Sequence, residues 1–343
     1  MITVHSPDHV LRAARTELAG GRLVPPFECP ERVAFVLDRI AAVGLGAVVT
    51  PEAQGLDPVL RVHDAGFVRF LETAWDEWVA SGAAGEAIPI IWPARRMSQD
   101  RIPRSITGRL GHYALAAETS ISQGTWEAAR AAADVAIGAA DRVLGGERAV
   151  FGLCRPPGHH AARDMFGGYC FLNNAAIAAQ RLRDRGLSRV AILDVDFHHG
   201  NGTQDIFYDR DDVIYLSLHG DPMDAFPYFL GHADEIGIGA GEGFNANFPL
   251  PRGTLWPRWS AALAEALGRA RRLGAEALVI SLGVDTFEGD PISFFKLTSD
   301  DFLRMGEAIG RAGLPTVFLM EGGYAVAEIG LNAVNVLMGF ESV

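Results

Sequence analysis

The sequence predicts an α/β fold: one domain, built on a central and mainly parallel sheet with helices on both faces. Five short β-branched or apolar runs recur along the chain and end in Gly, Asp or His, which is the pattern of buried strands. Helix-period stretches separate most of them, and strands alternating with helices imply a parallel sheet covered on both sides. No internal repeat or low-complexity linker divides the 343 residues, so a single domain over 1–343 is the simpler reading.

In chain order the strand runs are RAVFGLC (148–154), RVAILDVD (189–196), DVIYLSLH (212–219), EALVISLGVD (276–285) and PTVFLMEGG (315–323). The helical stretches fall at 174–185, 257–273 and 299–311. Residues 81–123 break the pattern, carrying Gly, Pro and Arg but little strand signal. A long irregular segment in a compact domain is usually functional, so this one is expected to be an insertion near the site.

Composition narrows the class further. Hydrophobic residues at 49% and charged residues at 21% are the balance of an ordinary globular protein. The Ala-rich stretch 126–144 contains Glu127, Arg130, Asp134, Asp141 and Arg142, so no apolar run approaches the ~18 residues of a membrane helix. The start, MITVHSPDHVLRAARTEL, lacks the apolar centre of a signal peptide, and a cytoplasmic location is expected. Cys29, Cys154 and Cys170 are too few and odd in number for a disulfide framework. A formal charge of −12 repels phosphate backbones, so no nucleic-acid partner is expected.

In an open α/β sheet, ligands bind beyond the carboxyl ends of the strands. Four such ends here are rich in polar groups: His159 and His160 in RPPGHH; Asp194, Asp196, His198 and His199; Asp285; and Tyr324 in GGY. Any one of them alone reads as a cap or a satisfied loop residue, but together at one sheet edge they read as a site. The D-x-D-x-H spacing puts Asp194, Asp196 and His198 at alternating positions, which on a strand face the same side. Asp196, His198 and Asp285 then supply three ligands and leave an open position, the arrangement of a catalytic zinc. Two carboxylates make the site hard enough for Fe²⁺ or Co²⁺ to compete with Zn²⁺. A rival reading, Cys154 as nucleophile with His159 as base, explains less. Cys154 lies in an apolar run that raises its pKa, and Asp196 and Asp285 are left without a role.

At RPPGHHA, FGGYCFLNNAAIAAQ, ILDVDFHHGNGTQDIFY, SLGVDTFEGDP and MEGGY the chain resembles the arginase-deacetylase superfamily, which contains the histone deacetylases. TELAGGRLVPPFECPERV, VHDAGFVRFLETAWDEW and AAETSISQGTWEAA are similar to the bacterial acetylpolyamine amidohydrolases, so the resemblance covers almost the whole chain. It implies metal-dependent hydrolysis of the acetyl amide of acetylated polyamines or diamines, of the acetylputrescine and acetylcadaverine type. Acetate and a free amine are the products.

Residue by residue, the resemblance implies metal ligands Asp196, His198 and Asp285, catalytic His159 and His160, and an oxyanion-stabilising Tyr324. Asp194 would orient His159. Asn201 stands where many histone deacetylases carry a second Asp, and a neutral partner leaves His160 less inclined to hold a proton. Tyr169, Phe226 and Ile292 match the lining of a tunnel for a slender acyl-amine chain. A structural K⁺ would be held by Asp194 and by backbone oxygens of Asp196, His198, Ser217 and Leu218.

The insertion would narrow the mouth, pack against a second subunit in a homodimer, and bring Glu118 toward the substrate's ammonium group. Thr107 stands at a position that is often acidic in the family, which favours short acetylated diamines. The competing readings are a broad-specificity acetyl-lysine protein deacetylase, a ureohydrolase needing a second metal site, and a non-catalytic binding protein on the same fold.

Overall fold

The computed structural model describes residues 1–343. Its sheet of eight parallel strands has the order β4-β1-β5-β10-β9-β6-β7-β8. These strands are β1 (Ile2–Val4), β4 (Val48–Val49), β5 (Ala149–Gly152), β6 (Val190–Asp194), β7 (Val213–Gly220), β8 (Asn245–Leu250), β9 (Ala277–Leu282) and β10 (Thr316–Met320). A separate antiparallel hairpin pairs β2 (Glu17–Ala19) with β3 (Arg22–Val24). The five expected runs all form central strands, each buried along its full length.

The hairpin strands β2 and β3 were not expected, nor were three strands of the large sheet. β1 and β4 span three and two residues, too few for any periodicity to show. β8 carries Asn245, Asn247 and Pro249, which weaken its strand signature, and it is an edge strand, where a proline costs no ladder hydrogen bond to an outer neighbour.

One face of the sheet is covered by α5 (Thr125–Leu144) and α6 (Asn174–Asp184), with α3 (Ala65–Ala80) beyond them. The other is covered by α1 (Glu31–Val43), α8 (Trp256–Arg272), α9 (Ser299–Gly310) and α10 (Val326–Glu341). The start of α9 is fixed by a reciprocal cap between Thr298 and Asp301. α9 and α10 approach at two glycines: a Cβ on Gly306 would stand 1.9 Å from the Val336 carbonyl oxygen, and one on Gly339 2.0 Å from that of Leu303.

The remaining helices are short: α2 (Asp57–Leu60), α4 (Ile106–His112) and α7 (Asn201–Phe207). The 81–123 segment is irregular apart from α4, which contains Thr107, and two isolated bridges, Ala87 to Ile121 and Ala114 to Phe166. No helix is long and apolar enough to cross a membrane. The four strands whose ends carry the polar motifs, β5, β10, β9 and β6, are contiguous and parallel, so their carboxyl ends open onto one edge.

Candidate functional site

β6 stops at Asp194, so Asp196 and His198 lie past the strand and its pleat cannot be what groups them. This corrects the expected strand alternation. Asx-type turns group them instead: Asp194 Oδ1 accepts from the Asp196 amide at 3.2 Å, and Asp196 Oδ1 from the His198 amide at 2.9 Å. Across the edge, Asp285 follows β9 and its Oδ1 accepts from the Phe197 amide at 2.8 Å.

Donor atoms of Asp196, His198 and Asp285 lie within 4.8 Å of one another, all buried. His198 Nδ1 is 3.3 Å from Asp196 Oδ1 and 3.0 Å from Asp285 Oδ2. Two glycines leave the room: a Cβ on Gly283 would fall 2.0 Å from Asp196 Oδ2, and one on Gly322 2.6 Å from oxygens of both aspartates.

In this triad two buried carboxylates converge on one imidazole. Burial and then the neighbouring Asp196 carboxylate push Asp285 up to about 7. The ion-pair partners of the two aspartates are histidines, with no Lys or Arg among them. Two confined carboxylates and an imidazole, with space between them, fit a divalent metal ion.

Beside the triad, the tandem histidines stack with ring centroids 4.1 Å apart. His159 Nδ1 meets Asp194 Oδ2 at 3.0 Å, and that same oxygen accepts from the Tyr215 hydroxyl. His160 Nδ1 meets Asn201 Oδ1 at 2.7 Å, which leaves Nε2 as its open nitrogen. Burial opposes charge on both rings, but for His159 the carboxylates of Asp196 and Asp194 outweigh it and hold the pKa well above the ordinary imidazole value. For His160 the balance is reversed: burial, then His159 and His198, outweigh the pull of Asn201 and Asp196 and hold it well below. A cationic and a neutral histidine therefore sit side by side.

Tyr324 follows β10, its ring 5.2 Å beneath the Arg32 guanidinium and its amide donating to Asp290 Oδ2 at 2.7 Å. Burial keeps the phenol protonated far above neutral pH, although Arg32 acts in the opposite direction. Arg32 also donates to the carbonyls of Glu321 and Gly323, at 2.5 and 2.8 Å, and so clamps the GGY loop.

Sequence reasoning assigned no role to Asp290, Glu321 or Arg32. Asp290 Oδ1 also accepts from the Ile292 amide, tying the Ile292 loop to the tyrosine loop. Glu321 Oε2 accepts from the Gly158 and His159 amides at 2.6 and 3.2 Å, joining the tyrosine loop to the histidine loop. A carboxylate directly before GGY, and one in EGDP, were the available signals.

A cavity of about 380 Å³ is lined by His160, His198, Tyr324, Glu118, Tyr169, Phe226 and Ile292, together with Phe197 and Phe294, while Asp196, Asp285 and His159 are not on its lining. All four substrate-contact candidates from the sequence therefore share one cavity. Gly168 brings its backbone against His160: a Cβ there would stand 2.2 Å from the imidazole ring. Tyr169 next to it is held at φ 66° and donates its hydroxyl to Glu17 at 2.8 Å.

Glu118 Oε1 accepts from the Gly168 amide at 2.7 Å and the Thr119 hydroxyl at 2.8 Å. Thr107 does not line the cavity, nor do Ser217 and Leu218, which are buried in β7, where Ser217 is the register partner of Asp194. Cys154 is also outside it, its Sγ 3.5 Å from the Ala132 carbonyl of α5 and its thiol pKa pushed well up by burial. Its thiolate is unavailable as a nucleophile.

Residues 26–339 match the histone deacetylase domain. The acetylpolyamine amidohydrolase of Mycoplana ramosa is 59% identical, over 99% of this chain and 99% of that one. Acetylpolyamine amidohydrolase 2 of Pseudomonas aeruginosa is 58% identical, over 100% of this chain and 99% of its own length. Among solved structures, the acetylpolyamine aminohydrolase of Burkholderia pseudomallei superimposes with a TM-score of 0.95 at 41% identity, covering 100% of this chain and 99% of that one.

Proposed function

Since the chain belongs to the histone deacetylase family, and is an amidohydrolase of the deacetylase kind, we propose that it hydrolyses the acetyl amide of short acetylated polyamines and diamines, with acetylputrescine and acetylcadaverine as the type substrates. The observation that carries this reading is one cavity whose lining holds His198 of the buried Asp-His-Asp triad, His160 of the histidine pair and the buried Tyr324, among aromatic walls and with the carboxylate of Glu118. The relatives in Mycoplana ramosa and Pseudomonas aeruginosa are acetylpolyamine amidohydrolases by name, which supports the same substrate class.

Asp196, His198 and Asp285 would hold the metal, Zn²⁺ first and Fe²⁺ or Co²⁺ as competitors. When bound, it supplies Lewis acidity that polarises the acetyl carbonyl and makes water a nucleophile near neutral pH. His160, neutral and with its Nε2 open, accepts the proton of the attacking water. The Tyr324 hydroxyl donates to the oxyanion that forms on the carbonyl oxygen. The tandem pair returns a proton to the departing amine; His159, charged and braced by Asp194, keeps the pair's net charge positive there. Tyr169, Phe226 and Ile292 pack along the methylene chain, and Glu118 attracts the distal ammonium. Asp194, with backbone oxygens of Asp196, His198, Ser217 and Leu218, would hold the structural K⁺.

We further assign the 81–123 segment to dimer formation. Ile90, Ile91, Met97 and Ile102 expose apolar side chains on it, a surface suited to a second copy. A cytoplasmic location accords with three unpaired cysteines.

The test is acetate release from acetylputrescine, acetylcadaverine, acetylspermidine and an acetyl-lysine peptide, measured on one preparation before and after chelation. The acetylated diamines should be cleaved with the highest kcat/KM, activity should vanish with the metal, and it should return on adding back Zn²⁺, Fe²⁺ or Co²⁺. Preference for the peptide over every polyamine overturns the substrate assignment. Full activity without metal overturns the mechanism.

A further inference from the structure

We propose that Arg252 makes this site read the charge at the far end of its substrate, and that the enzyme thereby also deacetylates α-amino acids whose ω-amine is acetylated. The inference rests on the deacetylase reading of the site given above. Arg252 lines the same cavity as His160, His198 and Tyr324, as do Glu118 and Asp224. Its guanidinium carbon is stacked 4.4 Å from the centre of the Phe294 ring, another cavity wall. Stacking fixes the plane of the group and leaves its N–H edge free.

What Arg252 touches in the protein engages that edge weakly. Nε is 3.9 Å from Asp224 Oδ2 and Nη2 is 3.4 Å from the Asp224 carbonyl oxygen. The two side chains are 62% and 52% exposed, and an ion pair so long and so open to water holds its partners loosely. A planar fork with unused donors matches a carboxylate, which it grips through two parallel hydrogen bonds. On Glu118, one oxygen serves the Gly168 amide and the Thr119 hydroxyl, and the other has no partner within the protein. The cavity thus carries an available anion and an available cation.

An acetylated diamine uses the anion alone. Its α-carboxylated counterpart bears an ammonium and a carboxylate on one carbon and uses both. A chain with a second ammonium instead meets like charge at Arg252. The chemistry is the same in each case: water adds to the acetyl carbon, the C–N bond breaks, and the ω-amine leaves with a proton, giving acetate and the diamino acid.

Nε-acetyl-lysine and acetylcadaverine differ only by the α-carboxylate, so the pair isolates what Arg252 contributes. We suggest measuring kcat/KM on the metal-loaded enzyme for these two, for acetylspermidine and for uncharged N-pentylacetamide, in the natural protein, Arg252→Gln and Arg252→Lys. In Arg252→Gln the acetyl-lysine to acetylcadaverine ratio should fall about tenfold. The acetylspermidine to acetylcadaverine ratio should rise several-fold, and both shifts should shrink as salt is raised. Arg252→Lys, which keeps the charge but loses the fork, should restore the discrimination against acetylspermidine and only part of the preference for the carboxylate.

Acetylcadaverine turnover without any acetyl-lysine turnover, or ratios unchanged in Arg252→Gln, would overturn this inference and leave the deacetylase reading standing. Failure to hydrolyse all four compounds would overturn both.

Discussion

Tyr324 concentrates the argument at the scale of single residues, because its role is separable from metal holding. Tyr324→Phe removes one hydroxyl donor and leaves the triad of Asp196, His198 and Asp285 untouched. Metal content should stay at its natural level while kcat drops ~10²–10³-fold, the usual loss for one oxyanion donor. A rise in KM at unchanged kcat, seen by steady-state kinetics beside metal analysis, would make Tyr324 a binding residue only. The groups proposed to do the chemistry could be picked out in the sequence because they sit in contiguous motifs at strand ends. Those that hold them in place were not. Arg32 acts from 292 positions before Tyr324, and Asp290 through a carboxylate whose partners are backbone amides, which leave no trace in residue type. The D-x-D-x-H spacing gave the right cluster for the wrong local reason, since the turns that follow Asp194 do what a pleat was expected to do.

At the scale of elements, α9 and α10 pack so closely that two helical glycines are required where backbones meet. Gly339→Ala places a methyl group 2.0 Å from the Leu303 carbonyl oxygen, a backbone atom that cannot swing away. The expected loss is about 3 kcal/mol, the upper part of the overpacking range, read as a lower urea midpoint at unchanged m-value. Gly268→Ala on α8 is the matched contrast, since its new methyl group meets only the end of the flexible Arg272 side chain, at 3.1 Å. It should stabilise by up to ~1 kcal/mol through helix propensity. Equal effects at the two sites would show that helix propensity, not close approach, governs both. The long helices and central strands were legible because their periods repeat over many residues. β8 was not, because asparagines and a proline mask a strand whose pairing on β7 comes from position in the sheet.

For the whole molecule, the buried histidines set an acid limit on stability. His63 joins three segments: its Nδ1 donates to the Ala162 carbonyl at 2.9 Å and its Nε2 accepts from the Asn173 amide at 2.9 Å, a pattern only the neutral ring can make. Burial lowers its pKa to about 4, against the pull of its backbone hydrogen bonds. A histidine whose folded pKa lies below the ordinary value of about 6.5 leaves stability intact above 6.5. As pH falls from there toward 4, only the unfolded chain takes up the proton, so stability is lost. Between pH 7 and pH 5 this one residue should account for up to ~2 kcal/mol, and urea unfolding should show His63→Gln losing less than the natural protein over the same interval. Identical losses would place the acid sensitivity elsewhere.

The strand order carries a consequence for the timing of synthesis. β1, at residues 2–4, has β4 on one side, but its other neighbour is β5 at 149–152, and β5 in turn needs β10 at 316–320. A nascent chain must therefore carry unmatched strand edges until β10 appears. Pairings this distant along the chain fold slowly and leave edges open to neighbours. Asp196 and His198 come well before Asp285, which lies well before Tyr324, so the full set of proposed reactive groups exists only once synthesis has passed Tyr324. Catalytic competence in that sense certifies that synthesis has passed β10 and Tyr324: a chain cut short before β10 has every proposed metal ligand but neither the tyrosine nor the strand that closes the centre of the sheet.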